Sequence, residues 1–528
     1  MNNRVTQLFQ SIRVSQPTSS LSLKVGQIIT GNVQKFLPQN KAFIQIGKKT
    51  VVAELKNALQ ANQRYIFQVK QTAPYINLQV LNEKPVRSQK DSVANLLQHF
   101  GWKSTEKREG FVSQLLKENV PIKESTIPAA ISLLDRQPDG KKANVVLLEM
   151  LKRELPITKS VYHSLYQRMF EPLSFSNIAT SLNQYLLGNE SLDHKQLSSY
   201  LTLFSKGDGG TLSETELKNQ IINDVKNGSS ATFSIFKKAG FIQEEVTFSN
   251  WREAWTTYAK GEVVKHGNEP ASNGNVKSIL PLSTLQSMED FFFGLKSLLQ
   301  SEQAFTKQEK AMIHVWLLQG LSSLEKANHS TLNESFMIKL KGFMSLMNPE
   351  GHKTHSLPML LQSVLQESHN PVLKQDATTL LQAINGMHLS NVEHNDWQQF
   401  SVQLPGQLFG LKKDVFTDFE GKKDPNGKVN VNHCRIMFYL DLEFLNEVVM
   451  DMKVQNRIVT LTVFQSNPDM LRPIVNLLQP KLIETLKDMD YKVSSIHVKD
   501  LNQNSTPYPN EKPSHSLTHF AKGVDLQV

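Results

Sequence analysis

A single cysteine, Cys434, rules out an intramolecular disulfide. No stretch approaches the roughly eighteen uninterrupted apolar residues of a membrane span, and the polar N-terminus MNNRVTQLFQSIRVSQPTSS lacks the apolar core of a secretory signal. Both absences point to a reduced, cytoplasmic protein. There is no Walker A lysine, no dinucleotide glycine fingerprint and no nucleophile elbow, so neither an enzyme nor a bound cofactor is expected. His352 and His355, three apart, and His515 and His519, four apart, lie in loop-like or tail segments with no neighbouring cysteine or carboxylate cluster, and read as solvated side chains. The glycine-rich run at Lys206–Thr211 lacks the alternating carboxylates of a calcium loop. Ser213 with Glu216 reads instead as a helix capping box. Acidic residues are nearly missing from 22–82, where eight basic side chains stand against Glu54 alone, and the net charge of +9 is concentrated there.

What is present divides the chain. Residues 1–21 form an N-terminal segment with one short amphipathic turn of helix. Residues 22–82 read as five short strands, at 25–36, 41–46, 49–55, 63–70 and 75–81, broken by Pro38-Gln39-Asn40, Gly47-Lys48 and Ala73-Pro74. Such spacing predicts a small closed β barrel of OB style. Barrels of this kind often bind single-stranded nucleic acid through basic grooves with stacking aromatics. The candidate contacts are Lys35, Lys41, Phe43, Lys48, Lys49, Arg64, Tyr65 and Tyr75. The competing structural reading places the aromatics inside the barrel and the lysines in solvent.

From about 90 to 390 apolar residues recur at three and four, giving roughly a dozen helices. The polar stretch Gly261–Ser278 reads as a linker dividing an all-α middle into regions 90–262 and 277–390. A C-terminal α+β domain is expected over 391–501, followed by a polar, mobile tail over 502–528 with prolines at 507, 509 and 513.

Within that domain Cys434, Ile436, Phe438 and Leu440 alternate with polar residues, placing Cys434 on the inward face of a strand. A hairpin turning at Gln455-Asn456 sets Met452 opposite Val459, Met450 opposite Leu461 and Val448 opposite Val463, with Asp451, Lys453 and Thr460 on the other face, where substitution should be tolerated. Asn467 then caps a helix begun by Pro468 and bent by Pro473 and Pro480, and Val493, Ile496 and Val498 mark a closing strand.

This block resembles the C-terminal domain of the flagellar hook-length control protein family, which has a strand, a short P-x-x-L-G turn, a hairpin, a proline-interrupted helix and a closing strand. Leu445 and Val448 match the turn's leucine and the apolar residue after it. Asn456 falls at the hairpin and Pro480 matches the helix proline, while Leu442 replaces the turn's proline and Asn446 its glycine. The resemblance implies a non-enzymatic role in flagellar or type III export. Its implied partner is the cytoplasmic domain of an export-gate switch protein, met through Leu442, Glu443, Leu445 and Asn446. The family's export route needs no cleavable signal. A folded middle, which a narrow channel would resist, favours an intracellular relative over a secreted ruler.

Overall fold

The computed structural model describes residues 23–501 apart from 48, 56–58, 74, 82–83, 119, 121, 187–190, 206–211, 261–286, 349–355, 394–395, 425–426 and 428. The expected N-terminal helical turn, the 261–278 linker, the glycine-rich run, both histidine pairs, Lys48 and the tail lie outside the described residues. The chain forms two compact units, divided between Pro172 and Leu173.

In the first unit, strands Gln27–Leu37 (β1), Lys41–Ile46 (β2), Lys49–Leu55 (β3), Gln63–Gln71 (β4) and Ile76–Val80 (β5) close a barrel in the ring order β1-β2-β3-β5-β4. Only β3 and β5 run parallel. The turn residues are those the sequence signalled, since Gln39, Asn40 and Gly47 all adopt positive φ. Ile29, Val33, Ile44, Ala53, Phe67, Val69 and Leu78 fill the interior. Gly31 is required there, because a Cβ would stand 2.6 Å from the Ile44 methyl. Five described helices follow, from Gln89–His99 to Lys159–Phe170, and the short strand Ile122–Lys123 (β6) pairs with the start of β1.

The second unit holds eleven described helices between Phe175 and Leu389, then a seven-stranded sheet. Its strands are Val392–Glu393 (β7), Trp397–Leu404 (β8), Val415–Lys423 (β9), Val429–Leu442 (β10), Asn446–Gln455 (β11), Ile458–Gln465 (β12) and Lys492–Asp500 (β13), hydrogen-bonded in that order. Only β12 and β13 are parallel, joined through the helix Pro468–Asp488. The predicted signals hold here. Asn467 accepts from the Met470 N–H, Pro468 opens the helix, and Pro473 and Pro480 lie inside it. Further upstream, Ser213 and Glu216 form the expected capping box.

Three expectations are corrected. Helices on either side of residues 261–278 share one core, in which Ile221, Phe236, Trp251 and Trp255 pack with Phe291, Leu295, Ile313 and Trp316. The helices on the two sides of this polar stretch therefore do not form two separate bundles, because polar composition does not report which helices pack together. A second core unites the middle with the C-terminal sheet. Phe175, Leu182, Phe204, Phe343 and Leu380 pack with Leu404, Leu408 and Val415. The partly buried Asp414 carboxylate reinforces this junction by accepting from the Phe175 N–H at 2.8 Å, the Gly406 N–H at 3.0 Å and Gln403 Nε2 at 2.8 Å.

The hairpin register is the second correction. The turn residues are Asn456 and Arg457, both at positive φ, so Met452 faces Leu461 and Met450 faces Val463. The pairing moves by two residues and each side chain keeps its face. The third concerns burial. Cys434 is only half-buried, whereas Met437, Tyr439, Val449 and Asp451 are buried on the opposite face. The sheet is thus enclosed on both sides around β10 and β11. Arg435 neutralises Asp451 through a two-pronged pair, with Nε–Oδ1 at 2.8 Å and a second guanidinium nitrogen 3.0 Å from Oδ2.

Candidate functional site

The β10–β11 turn is a three-residue loop, Glu443-Phe444-Leu445, fixed at its base by the Leu442↔Asn446 pair. Leu442 and Leu445 turn inward against Val448, Val463 and Leu471. Glu443 and Asn446 are exposed, the latter at positive φ. Lys412 pairs with Glu443 at 2.5 Å and Lys413 with Asp441 at 2.6 Å. The Leu445 carbonyl accepts from Gln465 Nε2 at 3.0 Å, and the Gln465 side-chain oxygen accepts from the Asn467 N–H, tying the loop to the start of the C-terminal helix. Of the four residues expected to face a partner, two are therefore partly buried against the core and two are surface.

The residue at the tip was missed. Phe444 is 82% exposed, the most exposed large apolar side chain among the described residues. Loop length alone does not signal it, since Leu445 in the same three-residue loop packs inward. Close by, the C-terminal helix buries only Leu471 and leaves Met470, Ile474, Leu477 and Leu478 exposed. At 100° per residue these four share one flank of the helix.

The barrel separates its aromatics. Tyr65 is buried in the interior with Phe67, its hydroxyl accepting from the Gln60 N–H at 3.0 Å, so Tyr65 is a core residue and leaves the set of surface contacts. Phe36, Phe43 and Tyr75 lie outside. Alternation in Lys41-Ala42-Phe43-Ile44-Gln45-Ile46 already assigned Phe43 to the outer row with Lys41 and Gln45. Register aligns Lys35, Phe43 and Val52 across β1, β2 and β3, and Arg64, Asn32, Gln45 and Thr50 in the next row. Lys49 stands at the β2–β3 turn, and Lys41 Nζ sits 4.2 Å from the centre of the Tyr75 ring.

Among the described residues no three His, Cys, Asp or Glu side chains converge as metal ligands, and no helix is long and apolar enough to cross a membrane. The chain is 24% identical to YlqG, an uncharacterized protein of Bacillus subtilis (strain 168), over 93% of each chain. That alignment takes in barrel, helices and sheet together. No family model matches the chain, and no solved structure matches it.

Proposed function

We propose that this chain is a non-enzymatic binding protein whose C-terminal sheet presents Phe444 to a protein partner. The partner class is the one the hook-length-control resemblance implies, the cytoplasmic domain of an export-gate switch protein, and it places the chain in flagellar or type III export. The observation that carries this reading is the Phe444 ring itself, held out on a short loop whose base is pinned by a strand pair, two ion pairs and Gln465. A large aromatic on a rigid mount is what an interface anchor requires, since little entropy is lost when it is buried. The apolar flank of the neighbouring helix would extend the contact.

Phe444→Ala should weaken binding of a purified export-gate cytoplasmic domain by about tenfold or more, the scale of a hot-spot truncation. Its melting curve should match that of the native chain, because the ring touches so little of its own protein. Titration calorimetry with the full-length chain reads both the affinity and its loss. Failure of the gate domain to bind, or equal binding by the alanine variant, would remove the proposal.

A further inference from the structure

At the other end of the chain, we infer that the outer face of β1, β2 and β3 binds single-stranded nucleic acid, with Phe43 and Tyr75 stacking on bases and Lys35, Lys41, Lys49 and Arg64 meeting phosphates. The site is independent of the Phe444 surface.

Three observations converge on this ligand. First, the barrel does not need the outer rings. Its interior is filled by Tyr65, Phe67 and aliphatic side chains, while Phe43 remains 36% and Tyr75 57% exposed. Keeping aromatic rings in water on a small barrel has no packing benefit. Second, the barrel exterior is of two kinds. Where β1 and β4 are covered, their outward residues Ile28, Ile66 and Gln68 are buried, and β6 pairs at Ile28. The face of β1, β2 and β3 carries rings, amides and cations and stays open. Third, cations outnumber acids on it, with Glu54, opposite Lys41 in the β2–β3 register, as the single acid of 22–82. Lys24, elsewhere on the barrel, is paired with Glu154 at 2.5 Å. Lys35, Lys41, Lys49 and Arg64 make no ion pair among the described residues.

The chemistry of the occupant follows. Unpaired cations ask for a polyanion, and flat exposed rings among them ask for one that offers flat faces of its own. Unstacked bases on a phosphate backbone satisfy both, whereas a duplex keeps its base faces covered. Adjacent strands lie about 4.8 Å apart, so the row Lys35, Phe43, Val52 sets one cation beside two apolar side chains on the scale of one or two nucleotides. Lys41 is parked over the Tyr75 ring, a contact easily exchanged at an exposed site. A base that takes over the ring frees the ammonium for the adjoining phosphate. Gln34 Nε2 donates to Gln45 Oε1 at 3.0 Å, placing two amides beside the stacking row where base edges would lie.

The test is fluorescence anisotropy of the full-length chain with a short labelled oligothymidylate. Binding should be evident at low salt and should weaken with a log–log slope of about −2 to −3, at roughly 0.7 per phosphate contacted. Phe43→Ala and Tyr75→Ala should each lower affinity by about 5- to 150-fold without changing the slope. Lys35→Ala should flatten the slope by about 0.7. All three positions are exposed, and matching melting curves would establish that the variants are folded. A duplex of the same length should compete poorly. No binding at low salt would overturn the inference. So would equal affinity for duplex, or ring variants that bind like the native chain, since either marks nonspecific attraction to a polyanion. Phe444→Ala serves as the control and should bind the oligonucleotide normally, so failure at one surface leaves the other standing.

Discussion

Replacing Arg435 with methionine is expected to remove about 3–5 kcal/mol from the stability of the 173–506 unit, the usual result of stripping one partner from a buried ion pair. Asp451 is 4% exposed, and without the guanidinium its nearest cation is Lys453, 3.7 Å away on a half-exposed side chain. The same face carries Asp418 and Glu420. Burial pushes the Glu420 carboxyl upward, the positive Arg435 opposes that rise, and the negative Asp418 and Asp451 add to it. Removing Arg435 should therefore raise the Glu420 carboxyl further. A carboxyl whose pKa is raised by folding costs stability as pH rises through that raised value. The Arg435→Met deficit should accordingly shrink on moving from neutral to mildly acidic pH. Urea melts across that range would show it, and Arg435→Met combined with Asp451→Leu should recover much of the loss. A deficit that does not change with pH would mean the pair carries no buried charge.

Lys238→Met should have an effect of similar size, read against the pH dependence that Glu309 gives the native chain. Glu309 is 4% exposed and accepts from Lys238 Nζ at 2.8 Å, the Thr306 N–H at 2.7 Å and the Ser234 hydroxyl. Burial alone would push its carboxyl up, but these donors, Lys238 foremost, hold it below the usual carboxylate range. The native chain thus gains stability from Glu309 that is fully present above the unfolded pKa of about 4.3 and lost as pH falls through the depressed value. Without Lys238, burial is opposed only by Ser234 and Thr306, so the carboxyl rises and the loss of stability on acidification weakens. The expected cost at neutral pH is about 3–5 kcal/mol. Melts of native and variant chains at two pH values decide it, and parallel pH slopes would refute the account.

The contrast between these two charged pairs shows what the sequence could and could not disclose. Strand boundaries in the barrel fall within two residues of their expected positions, because Pro38, Asn40 and Gly47 impose turns wherever they stand. The proline-opened helix and its asparagine cap were legible for the same reason. The hairpin was placed one residue early because Arg457 adopts a positive φ that its side chain does not advertise. Asp451 was assigned to a tolerant face because alternation reports which residues share a side, not what covers that side. The joint core is not legible in the sequence at all, since period and composition say nothing about which distant helix a strand will meet. At the candidate surfaces parity already held the answer for Phe43, whereas Phe444 and Leu445 share one short turn and differ in burial, which turn length does not disclose.

The core shared by Phe175, Leu182 and Phe204 with Leu404, Leu408 and Val415 also fixes a timetable. Roughly two hundred residues separate its early and late contributors, and a ribosome adding about 5–20 residues per second takes on the order of 10–40 s to cover that distance. For that interval the first helices have emerged while the strand residues that complete their packing do not yet exist. The apolar surface they will share must be shielded meanwhile, by the nascent chain itself or by a chaperone, so the newborn 173–506 unit is most vulnerable to aggregation just before its sheet appears.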